Sequence, residues 1–223
     1  MLCIETGKMT LVGANDGCRS HIKPTGVFRP MKRHHVSRMH KPPALPIRTD
    51  RFHLRDYSPA DEPEFIRYQT DPGFAIHHTA DERGAQHARA VFRKFIDWQA
   101  ETPRTNYQLA VCHAAEDDRL IGSCGIRMET PGAETADFGI ELARRYWGRH
   151  RFAIEISEAI IDWAFTCFPL KALTADTAPG NVVAARLAQS AGFTPVGVSE
   201  KRFWRLDKAD WAPGARARSQ GEA

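Results

Sequence analysis

Apolar and polar positions alternate regularly over most of the chain, but not over its first 46 residues. In that segment neither a period of two nor one of 3.6 is sustained, and prolines and histidines accumulate toward its end. From Phe52 and Leu54 onward, apolar side chains alternate with polar ones, which is the pattern of a half-buried strand. We therefore predict a disordered basic extension over residues 1–46, a folded domain over 47–207 and a C-terminal tail over 208–223.

After this first strand, the pattern predicts two helices, three strands, a helix, a strand, a helix and two strands. The first helix opens at Ser58-Pro59, an N-cap followed by Pro at the first helical position, and reaches about Gln69. Apolar residues at helical spacing mark further helices over 81–100, from Phe152 to about residue 165, and over 181–191. The remaining strands are predicted over 107–113, 119–128, 135–142 and 170–177, with two more within 193–206.

A helix between the fourth and fifth of these strands implies a crossover connection between parallel neighbours. The three strands before it are joined by short turns, which favours an antiparallel meander. The predicted fold class is therefore α/β (α+β), a mixed and mostly antiparallel sheet of about seven strands with helices on both faces.

Composition and charge add little to the predicted fold. The chain has 223 residues, of which 42% are hydrophobic and 26% charged, and no apolar run is long enough to span a membrane. Residues 1–44 contain eight Lys or Arg and two acidic residues, so the net charge of +4 belongs to the extension. The five cysteines form no close pair, which suggests neither a disulfide framework nor a zinc site. We expect a cytoplasmic monomer or homodimer with no metal, membrane or nucleic-acid partner.

A basic turn between a strand and a helix is the first candidate for chemistry. The segment from Arg145 to Phe152 contains Gly148 and further cationic side chains, and it opens a predicted helix. Unpaired N–H groups at a helix start carry partial positive charge and bind phosphate groups. The alternative interpretation of this segment alone is a solvated basic turn.

Five segments in chain order resemble the GNAT superfamily, and within it the ribosomal-protein alanine N-acetyltransferase (Rim-type) branch. They are Ile47-Arg48-Thr49-Asp50-Arg51-Phe52-His53-Leu54-Arg55 with Ser58-Pro59-Ala60-Asp61, Leu120-Ile121-Gly122, Phe138-Gly139-Ile140-Glu141-Leu142, Tyr146-Trp147-Gly148, and Asn181-Val182-Val183-Ala184-Ala185-Arg186-Leu187 with Ala191-Gly192-Phe193. The predicted order of elements is also the order of that fold.

The resemblance implies direct transfer of acetyl from acetyl-CoA to an amine, without a covalent enzyme intermediate. It also implies that two central strands splay apart, so that main-chain groups of Ile140 to Leu142 meet the pantetheine arm and one N–H lies near the thioester oxygen. Carried onto this sequence, the cofactor-binding residues are Ile140, Leu142, Arg145, Gly148, Arg149, His150, Arg151, Phe152, Ala153, Asn181 and Arg186.

The sequence departs from the family pattern in two places. The phosphate loop lacks its last small residue: that position holds His150, or Arg151 if the loop contains one extra residue. The Tyr with which many members protonate the leaving thiolate is replaced by Ala188. A thiol with a pKa near 8.5 needs little help from an acid at neutral pH.

An ammonium acceptor must lose a proton before it can attack, so a base is required. Glu141 is the first candidate and Asp137, on the same face of the strand, is the second. Both carboxylates could instead be solvated or salt-bridged, with water relaying the proton. His77 and His78 would lie near the acceptor entrance, where they could bind or deprotonate an amine. The alternative is that both are ordinary surface histidines of a loop.

The sequence thus predicts an N-acetyltransferase that acts on a primary amine, either a protein N-terminus or a small molecule. The alternative is a noncatalytic acyl-CoA-binding or regulatory module that has kept the fold and lost turnover.

Overall fold

The computed structural model describes residues 44–74, 80–149 and 151–212. Its elements are β1 Ile47–Arg48, β2 Phe52–Arg55, α1 Glu62–Gln69, α2 Ala85–Gln99, β3 Asn106–His113, β4 Arg119–Arg127, β5 Thr135–Leu142, α3 Phe152–Cys167, β6 Ala172–Thr177, α4 Val182–Ser190, β7 Thr194–Val198 and β8 Arg202–Asp207. The predicted helices and their order are confirmed. The predicted extension, residues 1–46, lies almost wholly outside the described residues, as does most of the C-terminal tail.

The eight strands form one sheet in the order β1-β2-β3-β4-β5-β6-β8-β7. Every neighbouring pair is antiparallel except β5 and β6, which are parallel and joined through α3. The predicted mixed sheet is confirmed with one strand more than expected. That strand, β1, pairs through only two residues with β2, a length too short to show an alternating pattern.

Helices cover both faces of the sheet. On one face, Tyr68 of α1 donates a hydrogen bond to Glu141 of β5. On the other, Trp163 of α3 packs edge-on against Tyr107 of β3, with ring centroids 5.4 Å apart. Tyr107 and Glu141 therefore mark opposite faces, and the core lies in the two layers between sheet and helices. None of the helices in the described ranges is long and apolar enough to cross a bilayer.

Strands β5 and β6 are paired over only part of their length. Their register includes three residue pairs and ends at Asp137 opposite Thr174. Residues 138–142 of β5 continue along β4 but have no partner on β6. The sheet is therefore split between its two parallel strands, as the resemblance implied, and the second half of β5 has an open edge.

Candidate active site

The open edge of β5 presents main-chain groups to the split. The N–H of Ala143, just after β5, donates to the Ile121 carbonyl of β4 at 2.8 Å, so Ala143 and Ile121 form a hydrogen-bonded cross-strand pair. Because pair types alternate along an antiparallel ladder, the N–H and C=O groups of Ile140 and Leu142 point away from β4, toward the split. The carbonyl of Leu142 accepts from Trp147 Nε1 at 2.7 Å. Ile140 thus offers both of its main-chain groups to a ligand in the split.

A cavity of about 370 Å³ lies at this edge. Strand β5, the loop after it and the first turns of α3 and α4 form its wall. The lining residues are Ile140, Glu141, Leu142, Tyr146, Trp147, Gly148, Arg149, Arg151, Phe152, Ala153, Ile154, Asn181, Val183 and Leu187. This wall combines an open strand edge, a helix N-terminus and cationic side chains, which together suit an extended ligand with a phosphate group at one end.

The basic loop reaches α3 through two residues in left-handed backbone conformation. Gly148 has φ 68° and Arg151, the N-cap of α3, has φ 58°. Left-handed φ disfavours residues with a Cβ by about 1–2 kcal/mol. Arg151 therefore stands where the backbone favours Gly, which agrees with the alignment that gives this loop one extra residue. The missing small residue is replaced by a cation at the helix start, where a phosphate would bind.

Gly148→Ala is expected to destabilise the protein by about 1 kcal/mol, because Ala must adopt the left-handed φ. No heavy atom lies within 4 Å of the added Cβ, so the cost is conformational rather than steric. The matched control is Gly197→Ala on β7, where the Cβ also meets nothing and φ is not left-handed. Urea unfolding measures both variants, and equal stabilities would contradict the prediction.

Glu155, one turn into α3, ties this helix to the start of β2. Its carboxylate accepts hydrogen bonds from Thr49 Oγ1 and from Arg51 Nε, both at 2.6 Å, and from the Arg51 N–H at 3.3 Å. The Arg51 guanidinium also lies over the Phe152 ring, 4.7 Å from its centroid. These contacts fix the first turn of α3, and with it the end of the basic loop.

Glu141 is the buried carboxylate of the site. Only 4% of the residue is exposed, and Oε1 accepts hydrogen bonds from Tyr68 OH at 2.9 Å and Gln69 Nε2 at 2.6 Å. Burial raises the pKa of Glu141 to about 7, although both hydrogen bonds and the charge of Arg127 act to lower it. A carboxylate with this pKa can accept a proton at neutral pH and release it again.

The N-terminus of α4 closes the other side of the cavity. Asn181 caps this helix, since its Oδ1 accepts from Ala184 N–H at 3.0 Å. This confirms the predicted N-cap. Asn181 also lines the cavity, so both roles given to it by the sequence are compatible with its position.

Comparison with known proteins identifies the fold and the chemistry. The acetyltransferase (GNAT) domain matches residues 51–194. The chain belongs to the GNAT acetyltransferase family. It is therefore an acetyl-CoA-dependent acyltransferase, and the predicted family and cosubstrate are confirmed.

Among the proteins to which this GNAT domain is similar, two are named for different acceptors. The uncharacterized N-acetyltransferase p20 of Bacillus licheniformis is 27% identical over 151 residues, which are 67% of this chain and 83% of that one. The ribosomal-protein-S5-alanine acetyltransferase of Vibrio fischeri superposes with a TM-score of 0.58 at 16% identity, covering 76% and 100%. The spermidine N-acetyltransferase of Vibrio cholerae, solved with CoA and spermine, gives 0.58 at 16% identity, covering 71% and 96%. At these identities the two solved structures support the fold alone.

In the GNAT cavity, most residues predicted to bind acetyl-CoA are brought together. The predicted residues that line the cavity are Ile140, Leu142, Gly148, Arg149, Arg151, Phe152, Ala153 and Asn181. Arg145 is directed elsewhere: its guanidinium lies over the Tyr146 ring and 3.6 Å from Glu116. Arg186 is exposed on α4 and does not line the cavity. His77, His78 and His150 lie outside the described residues.

Asp137 shares a strand face with Glu141 but not its environment. It is exposed at the last paired position of β5 and β6, and it accepts a hydrogen bond from Thr174 Oγ1. The cavity is lined by Glu141 and not by Asp137. Burial therefore separates the two candidate bases in favour of Glu141. No group of His, Cys, Asp and Glu side chains in the described ranges is arranged to hold a metal ion.

The sequence reasoning missed three side chains that build the site. Tyr68 and Gln69 hold Glu141, but they lie more than 70 positions away, and no local pattern connects a helix end to a distant strand. Trp147 was part of the family motif, yet its bond to the Leu142 carbonyl required the folded loop. A buried carboxylate on a strand was the only available signal, since it must find donors somewhere.

Proposed function

We propose that this GNAT enzyme transfers acetyl from acetyl-CoA to a primary amine, with Glu141 as general base. The observation that carries the proposal is the position of Glu141, buried beside the open edge of β5 on the cavity wall, with a pKa near 7. The acceptor is a protein N-terminus or a small-molecule amine. The three described cysteines are free thiols, which fits action in the reducing cytoplasm.

The proposed reaction uses one face of β5, where the Glu141 side chain lies, and the open edge of the same strand. The carboxylate of Glu141, held by Tyr68 and Gln69, removes a proton from the ammonium acceptor. The neutral amine then attacks the thioester carbon, where a C–N bond forms and the C–S bond breaks. The Ile140 N–H, directed into the split, stabilises the negative charge that develops on the carbonyl oxygen. The nitrogen gives its second proton to water or to the departing sulfur, which leaves as a thiolate or a thiol, so a dedicated acid is not required.

Two observations favour a second candidate, a noncatalytic acyl-CoA-binding module. Arg151 occupies the left-handed position at the start of α3, and Ala188, fully buried on α4, occupies the family's Tyr position. A protein that had lost turnover would tolerate both changes. The buried Glu141 argues against this candidate, because an unused carboxylate with a raised pKa only destabilises the fold at neutral pH.

The deciding experiment measures free CoA released from acetyl-CoA, with mass spectrometry of the acceptor, across N-terminal peptides, amino-acid amides, polyamines and aminoglycosides. We expect release with at least one primary amine and a mass increase on that amine. Thermal stabilisation by CoA is expected to grow with the logarithm of its concentration above the dissociation constant. Stabilisation without turnover on any acceptor would support the binding module. No stabilisation by millimolar CoA would contradict both functions.

A further inference from the structure

The end of α1 supplies both hydrogen bonds that the Glu141 side chain receives, and both go to the same oxygen. Tyr68 OH lies 2.9 Å and Gln69 Nε2 lies 2.6 Å from Oε1, while no described residue donates to Oε2. Tyr57 OH and Arg127 Nη1 are sealed from solvent and have no partner among the described residues, but Oε2 is not sealed in this way. The carboxylate therefore has one occupied oxygen and one that a ligand can reach.

Tyr68 is a fixed donor, because its ring is held in place by other rings. Phe65 and Phe74 are fully buried and pack edge-on against it, each with its ring centroid 5.2 Å from that of Tyr68. Phe74 is held in turn by the turn after α1, where the Asp71 carboxylate accepts the Phe74 N–H at 3.1 Å. Packing therefore directs the Tyr68 hydroxyl at Oε1 before any ligand arrives, which is what preorganisation of a site requires.

Both donors are neutral, which keeps the carboxylate basic. A Lys or Arg bonded to Glu141 would stabilise its charged form further and hold its pKa well below 7. The ionisable groups that face Glu141 are Arg127 of β4, whose charge acts without a hydrogen bond, and the hydroxyls of Tyr57 and Tyr68. Burial raises the pKa of both hydroxyls, so they stay protonated. Tyr68 and Gln69 can therefore fix the carboxylate and leave it able to take a proton at neutral pH.

We propose that Tyr68 and Gln69 are positioning residues, which hold Oε1 of Glu141 so that Oε2 alone receives the proton of the acceptor. The inference rests on the proposed function and assigns its first step to one atom. The N–H bond of the ammonium breaks, its electron pair stays on nitrogen, and an O–H bond forms at Oε2. Because Oε1 already accepts two hydrogen bonds from α1, the acceptor reaches the carboxylate from the cavity side.

The test is the pH profile of two variants, Tyr68→Phe and Gln69→Met, with an acceptor that the wild type acetylates. Each variant removes one donor from Oε1 and keeps a side chain of similar size. A hydrogen bond to the charged form favours that form, so its loss raises the pKa of Glu141. The midpoint of kcat/KM should therefore move up from about 7 by about one pH unit, the scale of one hydrogen bond to a charged group.

A second readout separates positioning from ionisation. With one donor gone the carboxyl group can turn, so kcat on the high-pH plateau should fall about 10-fold or more, even though Glu141 is fully ionised there. The KM for acetyl-CoA should stay within about 2-fold of wild type, because neither side chain lines the cavity. A midpoint that moves with an unchanged plateau would show that the donors set ionisation and not position, which would overturn the proposal. A fall in kcat with an unmoved midpoint would overturn it as well.

The matched control is Thr70→Val, which removes a hydroxyl from the same helix end. Thr70 Oγ1 donates to the Ile66 carbonyl at 2.8 Å and not to Glu141, so neither the midpoint nor the plateau should change. Gln69 is only half-buried, so Gln69→Met still provides the test if Tyr68→Phe does not fold. An active wild type whose two variants keep its profile would remove the role of Tyr68 and Gln69 alone. A wild type that acetylates no amine would instead remove the proposed function, and this role with it.

Discussion

In Glu141→Gln, turnover is expected to fall by about 10²- to 10⁴-fold at pH 7, while the affinity for acetyl-CoA stays unchanged. Gln has nearly the same shape, and its amide oxygen can still accept the hydrogen bonds of Tyr68 and Gln69. It cannot take a proton from the acceptor, so the loss appears in kcat. Steady-state kinetics with saturating acetyl-CoA, together with calorimetric titration of CoA, measures the two quantities separately.

The pH dependence of activity and of stability provides a second, independent test of Glu141 as the base. The carboxylate of Glu141 must be ionised to act as a base, so kcat/KM of the wild type should rise as pH passes through about 7. Stability should move in the opposite direction. The folded-state pKa lies above the unfolded value of 4.5, so this group's contribution is present below that value and is lost as pH rises through about 7. Both pH dependences should flatten in Glu141→Gln.

Asp137→Asn tests the other candidate base. The carboxylate of Asp137 is exposed and bonded to Thr174, so its loss should reduce kcat far less than the loss of Glu141. A Glu141→Gln enzyme with wild-type turnover would remove Glu141 as the base. A larger loss in Asp137→Asn than in Glu141→Gln would assign the role to Asp137.

The order of elements could be predicted because it depends on local periodicity. The Ser58-Pro59 signal before α1 and the apolar spacing of α3 need only a few neighbouring residues, and the structure contains both helices. Strand β1 escaped prediction because two residues do not make a period. The split between β5 and β6 came from the family resemblance, since no pattern within Thr135–Leu142 shows where pairing to another strand ends.

The site could be predicted where one segment supplies it and not where several do. Residues 148, 149 and 151–153 lie close together in the sequence, so the motif that identified one of them identified the others. The environment of Glu141 depends on Tyr68, Gln69 and Arg127, which belong to α1 and β4. Period two correctly placed Asp137 and Glu141 on one face, but it carries no information on burial. Burial is what distinguishes the chemistry of these two carboxylates. Burial in turn depends on where α1 packs, which the local pattern does not show.

Glu155→Ala is expected to raise the KM for acetyl-CoA by about 10-fold or more and to lower the free energy of unfolding by about 2 kcal/mol. The substitution leaves Thr49 Oγ1 and the Arg51 side chain without the carboxylate that joins them to α3. The first turn of α3 then loses its tie to β2, and its N–H groups are no longer fixed toward the cavity. Since Glu155 does not line the cavity, it acts as a positioning residue, and kcat at saturating acetyl-CoA should change less than KM.

The matched control is Glu158→Ala, on the same helix nearly one turn later and in no ion pair with the described residues. It should leave the KM for acetyl-CoA within about 2-fold of wild type and the free energy of unfolding within about 0.5 kcal/mol. Glu155→Gln is informative as well, because an amide oxygen can still accept from Thr49 but no longer carries the charge that pairs with Arg51. Its KM should therefore fall between those of the wild type and Glu155→Ala. A Glu155→Ala enzyme that loses stability and keeps its KM would show that the contact only holds the fold. A lower stability together with a higher KM would show that the anchoring of β2 on α3 also positions the loop for acetyl-CoA.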